Sequence, residues 1–313
     1  MNRLLRITFV LALVASLASC GGEAKVLVGT SREVLMVYSE DSKFSAGALY
    51  KYMTRILYTP QPETLIYLRP IKWDKFPQYE NFRNKILFLL PNDSLWSLCK
   101  EEEGVLFRKN LFLRGDFTIL VCSYDSRAML RMITDYMPVI WDTILNKAIR
   151  ELSEVEFLGG KNRKAMEKVK RLFGLEMVIP AGWKEYKEGE GFLSFIKGNP
   201  SRFIFIYSEP SERSFTLEDV VNLRDSLTTI YYEGDSVVRE YITSMTDNVA
   251  GVSILKIYGL WKNDTLVAGG PFVSYAFNKD GRFYLLDAGV FAPESQNKVN
   301  LVLRVEGIIR TFR

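Results

Sequence analysis

Val273-Ser-Tyr-Ala-Phe277 and Phe283-Tyr-Leu-Leu286, joined through Asn278-Lys-Asp-Gly281, are the stretch that decides the fold. Strand-forming residues on both sides of a turn-forming tetrapeptide predict an antiparallel hairpin. Outward from it, the apolar runs between Ser253 and Phe291 predict three or four strands in all. Leu301/Val302, Val305, Ile308/Ile309 and Phe312 then recur at helical spacing and predict a closing helix. Upstream, Leu175–Ile179, Phe192–Ile196 and Phe203–Tyr207 read as short strands. Thr216-Leu-Glu-Asp219 is a capping box opening a helix to about Ile230. A further helix carries Ala165/Met166, Val169 and Leu172/Phe173 on one face and stops at Gly174. The second half therefore reads helix, strands, helix, strands, helix. The fold class expected is α+β, with antiparallel sheets under packed helices.

The first half alternates differently. Val34–Tyr38, Leu65–Leu68 and Lys85–Leu90 read as strands, Ser45–Leu57 as a helix, and Thr59-Pro-Gln-Pro-Glu63 as a stiff loop. Val105–Leu113 and Phe117–Ser123 predict a hairpin with Arg114-Gly115-Asp116 at its turn, where such residues are common without any adhesive role. A long amphipathic stretch from Met129 to Ala148 follows, and Pro138 is expected to kink or divide it. Gly159-Gly160 is the expected boundary, giving an N-terminal α/β domain over 33–158 and a C-terminal α+β domain over 161–313.

At the N-terminus, Arg3 and Arg6 precede the apolar run Ile7–Leu17 and the small residues Ala18-Ser19 before Cys20. This is the layout of a secretory leader, too short to span a bilayer, closing on a lipidated cysteine. Residues 1–19 are expected to be removed, Cys20 to be lipidated and 20–32 to serve as a tether. The expected location is the cell envelope, as an outer-membrane lipoprotein facing the periplasm. The formal charge of +4 falls to +2 once the two leader arginines go, and no basic run stands out, which argues against nucleic acid.

The chain contains no histidine, which excludes Ser-His-Asp and Cys-His triads and histidine-based zinc motifs. No catalytic residue, metal site or cofactor is assigned. Cys99 and Cys122 are expected to pack as small hydrophobes rather than to bridge. Ser194 and Lys197 lie three apart on a strand and cannot meet, while Ser295 and Lys298 suit a helix start, with Ser295 as its cap. Glu101-Glu102-Glu103, Glu185/Glu188/Glu190 and Glu233 with Asp235 are carboxylate candidates in polar stretches, expected to be solvated. Trp141 is expected in the core. If a ligand region exists, it surrounds Trp261, Gly269, Gly270 and Ser274, because glycine permits close backbone approach.

Asp-Ser/Thr followed by an aliphatic residue recurs at Asp93, Asp142, Asp225, Asp235 and Asp264. The spelling resembles the O-glycosylation sequon of Bacteroidetes envelope proteins. That resemblance implies acceptors at Ser94, Ser236 and Thr265, expected on loops, ahead of Thr143 and Ser226 in helices. By element order the second half is similar to the photosystem-accessory (PsbP-like) fold. Gly259-Leu-Trp261, Gly269-Gly-Pro-Phe-Val-Ser274, Phe291-Ala-Pro293 and the closing helix with Glu306 resemble uncharacterised Bacteroidetes lipoproteins grouped under a domain of unknown function. Gln61-Pro-Glu63 and Val178-Ile-Pro-Ala-Gly-Trp183 fit the same pattern; Tyr258 and Ala268 depart from the expected Arg and Met. The family implies no activity or cofactor. It implies a lipid-anchored Gram-negative envelope protein, and Gly21-Gly22-Glu23 lacks the Lys/Gln and acidic cluster of surface-exported lipoproteins of that phylum. The expected function is a non-enzymatic binding or assembly module, held to the membrane by lipid, with an envelope protein or glycan as partner. The alternatives are a carboxylate- or Ser-Lys-based hydrolase of envelope glycans and a carbohydrate-binding lipoprotein.

Overall fold

A computed structural model describes residues 26–210 and 212–313. Cys20 and the leader lie outside the described residues. In chain order the elements begin with β1 (Glu33–Tyr38), α1 (Lys43–Met53), β2 (Ile56–Thr59), β3 (Gln61–Thr64), β4 (Tyr67–Lys72), β5 (Asn84–Leu89), β6 (Gly104–Lys109) and β7 (Phe117–Cys122). Helices α2 (Ser126–Phe157) and α3 (Arg163–Phe173) follow, then β8 (Lys184–Gly189), β9 (Phe192–Lys197), β10 (Ser201–Glu209) and α4 (Leu217–Tyr231). The chain closes with β11 (Ser236–Val237), β12 (Thr243–Val249), β13 (Val252–Asn263), β14 (Ala268–Lys279), β15 (Arg282–Phe291) and α5 (Lys298–Ile309).

The architecture is α+β. The first sheet runs β4-β1-β5-β7-β6, parallel except for the β6–β7 hairpin. The second is antiparallel, β11-β13-β14-β15-β10-β9-β8 with β12 also on β13. The deciding hairpin is there, with Lys279 opposite Arg282 across Asp280-Gly281. One face of the second sheet carries Phe203, Phe205, Phe272 and Phe283 against α4. Its other face joins α2, α3, α5 and one face of the first sheet in a single core containing Met36, Phe88, Trp141, Val169, Tyr275 and Val302.

Several local expectations change. The α1 helix stops at Met53, and Ile56–Leu57 belong to β2, because β-branched Ile56 leads into a tight β2–β3 hairpin across Pro60. The stretch expected as a stiff loop is that hairpin. Leu175–Ile179 is buried at Leu175, Met177 and Ile179 without joining a sheet; period-2 burial is satisfied by packing against the core. Polar Lys184–Gly189 instead forms the edge strand β8, which needs no apolar face. Helix α2 runs without interruption through Pro138. Its start is fixed by Asp125, which accepts from the Arg127 and Ala128 amides at 2.8 Å each. The α4 capping box forms as expected.

Cys99 and Cys122 are bonded as a disulfide, contrary to the expectation of two free thiols. Both are fully buried on the far face of the first sheet, brought together because the Trp96–Cys99 turn packs on β7.

Candidate functional site

Three polar assemblies compete for the role, two of them sealed. The first lies between the second sheet and α5. Glu306 is fully buried and accepts from the Tyr258 hydroxyl (2.5 Å), the Tyr275 hydroxyl (2.6 Å) and Lys256 Nζ (2.5 Å). Even positions of β13 and odd positions of β14 share this face, so strand register brings Lys256, Tyr258 and Tyr275 under one helix position. Arg310, one turn beyond Glu306, donates to Asp247 on β12 at 2.6 Å and to the Tyr275 hydroxyl at 3.1 Å. Burial, with the Glu306 charge adding to it, pushes both tyrosines well above the ordinary phenol range. Burial also pushes the Asp247 carboxyl up, but Arg310 and Lys256 outweigh it and hold it below the usual carboxylate range. Every charge here has a counter-charge. The arrangement ties α5 to the sheet, with Glu306, Lys256, Tyr258 and Tyr275 buried and the Arg310–Asp247 pair at its partly exposed margin.

The second assembly lies on the opposite face, under α4. Arg224 donates to Asp287 at 2.8 Å and stacks on Phe272, with its guanidinium carbon 3.9 Å from the ring centroid. Asp287 also accepts from the Ser274 hydroxyl. Here lies the region singled out from the sequence, and it is closed. Trp261 is 4% exposed and packs edge-on to Phe203, and Ser274 is buried. Gly270 is needed because a Cβ would overlap the Val290 carbonyl of the neighbouring chain segment; at Gly269 it would lie 2.9 Å from the Trp261 carbonyl. Those glycines serve strand-to-strand contact. The Trp261 indole N–H and Arg224 Nη1 have no acceptor among the described residues.

The remaining candidates are dispersed. Ser295 does not cap α5: its carbonyl accepts from Lys298 Nζ at 2.6 Å, and Asn297 takes the cap position without a side-chain bond. The α5 amides of Lys298 and Val299 are instead met by Glu63 of the β2–β3 hairpin at 3.0 and 3.3 Å. Ser194 bonds the Lys187 backbone, while Lys197 pairs with buried Glu156 at 3.0 Å, so the two stay apart as expected. Glu185 and Glu188 share Lys168, and Glu103 accepts from Ser123. Asp235 is buried against Asn263 rather than solvated, because Asn263 Nδ2 reaches it at 2.8 Å. Ser94 and Thr265 are exposed on turns, whereas Ser236 is half-buried in β11, not on a loop, because it pairs with Lys262. Asp116 of the Arg-Gly-Asp turn is sealed by Lys85 at 2.9 Å, both side chains fully buried, and cannot be presented to a receptor.

The third assembly is open. Two adjoining furrows of about 450 and 430 Å³ flank the outer side of α2 and share Glu151. Lys109, Gly115, Lys147 and Arg150 line the first, and Arg32, Arg83 and Glu154 the second. Lys147 donates to Asn84 (2.7 Å) and Glu151 (2.6 Å). Burial lowers its pKa against the opposing pull of Glu151, and Arg83 and Arg150 add smaller contributions to the fall. Arg83, Lys109 and Arg150 have no carboxylate partner among the described residues. Trp141, Trp183 and Trp261 are buried, Trp73 and Trp96 are half-buried, and no tryptophan lines either furrow. Sequence reasoning missed this face because its cations lie on four separate segments.

Residues 162–311 match the family model described as a domain of unknown function (DUF4837). That region holds a domain of unknown function. It contains both sealed assemblies, whereas most of the open face lies outside it. No curated protein matches the chain. Among solved structures, one from Bacteroides thetaiotaomicron VPI-5482 is similar at 11% identity over 44% of each chain, with a TM-score of 0.29. Cyanobacterial PsbP (CyanoP) from Synechocystis sp. PCC 6803 is similar at 9% identity, over 45% of this chain and 86% of that one, with a TM-score of 0.31. LpqN, involved in cell envelope biogenesis of Mycobacterium tuberculosis, is 9% identical over 44% of this chain and 82% of its own, at 0.27. Among the described residues no helix is long and apolar enough to cross a membrane.

Proposed function

We propose that this chain is a lipid-anchored protein of the bacterial cell envelope, a non-enzymatic binding or assembly module on the periplasmic face of the outer membrane. The observation that carries the reading is Leu17-Ala-Ser-Cys20 at the close of a basic and then apolar leader. The Cys99–Cys122 disulfide supports it, since such bonds persist in oxidising compartments. A binding role is favoured over hydrolysis because the buried pairs Arg224–Asp287 and Lys256–Glu306 of the matched region are spent on each other inside the core. Intact mass of the native protein tests the anchor: the expected value is the chain from Cys20 plus lipid, with any glycan at Ser94 or Thr265 adding further mass. A Cys20→Ala chain is expected to leave the membrane fraction. An unlipidated native protein, or turnover of envelope glycans by the pure protein, overturns the reading.

A further inference from the structure

We infer that the basic face beside α2 is the surface this protein lays against an anionic bilayer; the inference rests on the lipid-anchored reading above. Three observations meet there. The described chain begins at Val26, which is 73% exposed and whose carbonyl accepts from Asn81, and Val28 is exposed beside it. Leu27 packs on the Arg114-Gly115 turn, where a Cβ on Gly115 would lie 3.0 Å from Leu27 Cδ1, and Gly29 accepts from Arg83 Nε. Val26, the first described residue, therefore sits at the rim of the furrows. Five residues lie between Cys20 and Val26, and the six backbone steps reach at most about 20 Å. A lipid on Cys20 keeps this rim near the headgroups.

The chemistry of the rim fits that neighbour. Arg83, Lys109, Arg114 and Arg150 belong to it, with no carboxylate partner among the described residues, and the Asp116 charge beside them is consumed by Lys85. Glu151, paired with Lys147, and Glu154 are the acids that also line the furrows, leaving a net positive rim. Exposed Val26 and Val28 add apolar contact of the sort that settles at a bilayer interface. Each basic residue held near an anionic surface strengthens association roughly five-fold, within a Debye length.

The test uses the native full-length protein in vesicles of phosphatidylglycerol and phosphatidylcholine in equal parts, against phosphatidylcholine alone. Acetylation of Lys109 is followed by mass spectrometry, with Lys262 of the second sheet as reference. The expected result is Lys109 labelling slowed about five-fold or more by phosphatidylglycerol, restored by high salt and unchanged for Lys262. Inorganic phosphate at matched ionic strength is expected not to reproduce the protection; if it does, the face takes free phosphate and the bilayer assignment falls. The double variant R114E/R150E reverses charge at two exposed positions and is expected to lose the protection while melting like the parent. Equal labelling in both vesicles overturns the inference. The intact mass of the same sample reports lipidation separately: lipid present without protection sinks this inference alone, and lipid absent sinks the anchor reading.

Discussion

Glu306 shows what one residue can commit. With three donors on a carboxylate removed from water, the stabilisation lies in mutual satisfaction, and removing one member strands the others. Glu306→Ala is expected to cost about 3–5 kcal/mol in urea unfolding, the range for breaking a buried ion pair. Asp247 extends the cluster towards solvent and gives it a pH signature. Its folded-state pKa is depressed, so its contribution is complete above the unfolded value near 3.9 and is lost as pH falls through the folded value. Asp247→Asn is expected to flatten that acid limb, read by thermal melting from pH 6 downwards, and an unchanged limb would contradict the assignment. Glu306 and Tyr258 were both noticeable in the sequence. That they touch was not, since it depends on the β13–β14 register and on where α5 lands.

Two elements are held by groups that local reading could not supply. Helix α5 begins without a side-chain cap of its own, and Glu63 provides one from more than two hundred residues upstream. Glu63→Ala is expected to lower stability by about 1 kcal/mol, as for loss of an ordinary cap. The disulfide holds the Trp96–Cys99 turn on β7 across a separation of 23 residues. Replacing both cysteines by serine is expected to cost about 3 kcal/mol by loop-closure entropy, measured by unfolding in parallel with the parent. The β14–β15 hairpin, the α4 capping box and the Gly174 stop were legible because each is encoded within a few residues. The β2–β3 hairpin was not, because helical spacing ran on past Met53 into Ile56–Leu57. The β8 strand was not, because its edge position demands no apolar pattern.

At the scale of the molecule, the matched region 162–311 does not enclose its own core. Helix α2, from the preceding segment, lies against α5 and adds Ile140, Trp141, Ile144 and Ala148 to the apolar cluster that holds Val302, Val305 and Ile309. The helices meet at Gly307, where a Cβ would overlap the Ser153 side chain close to its own Cβ. A backbone-proximal atom cannot swing aside, so Gly307→Ala must push the helices apart, at about 1–3 kcal/mol. Arg32 adds a polar tie from the first segment, donating to Leu65 at 2.9 Å within the hairpin connection and to Asn300 of α5 at 2.7 Å. With the core shared and the Glu63 cap crossing between segments, neither part can open without exposing apolar surface on the other. We therefore expect one cooperative unfolding transition, with amides of β5 and β14 exchanging at the same global free energy. Gly307→Ala should shift both sets together. If β14 stays protected while β5 exchanges early, the segments are separate domains and the α2–α5 contact is a docked interface. Coincident exchange would mean instead that the open basic face and the sealed clusters belong to one rigid body, so that whatever orients the face also orients the matched region.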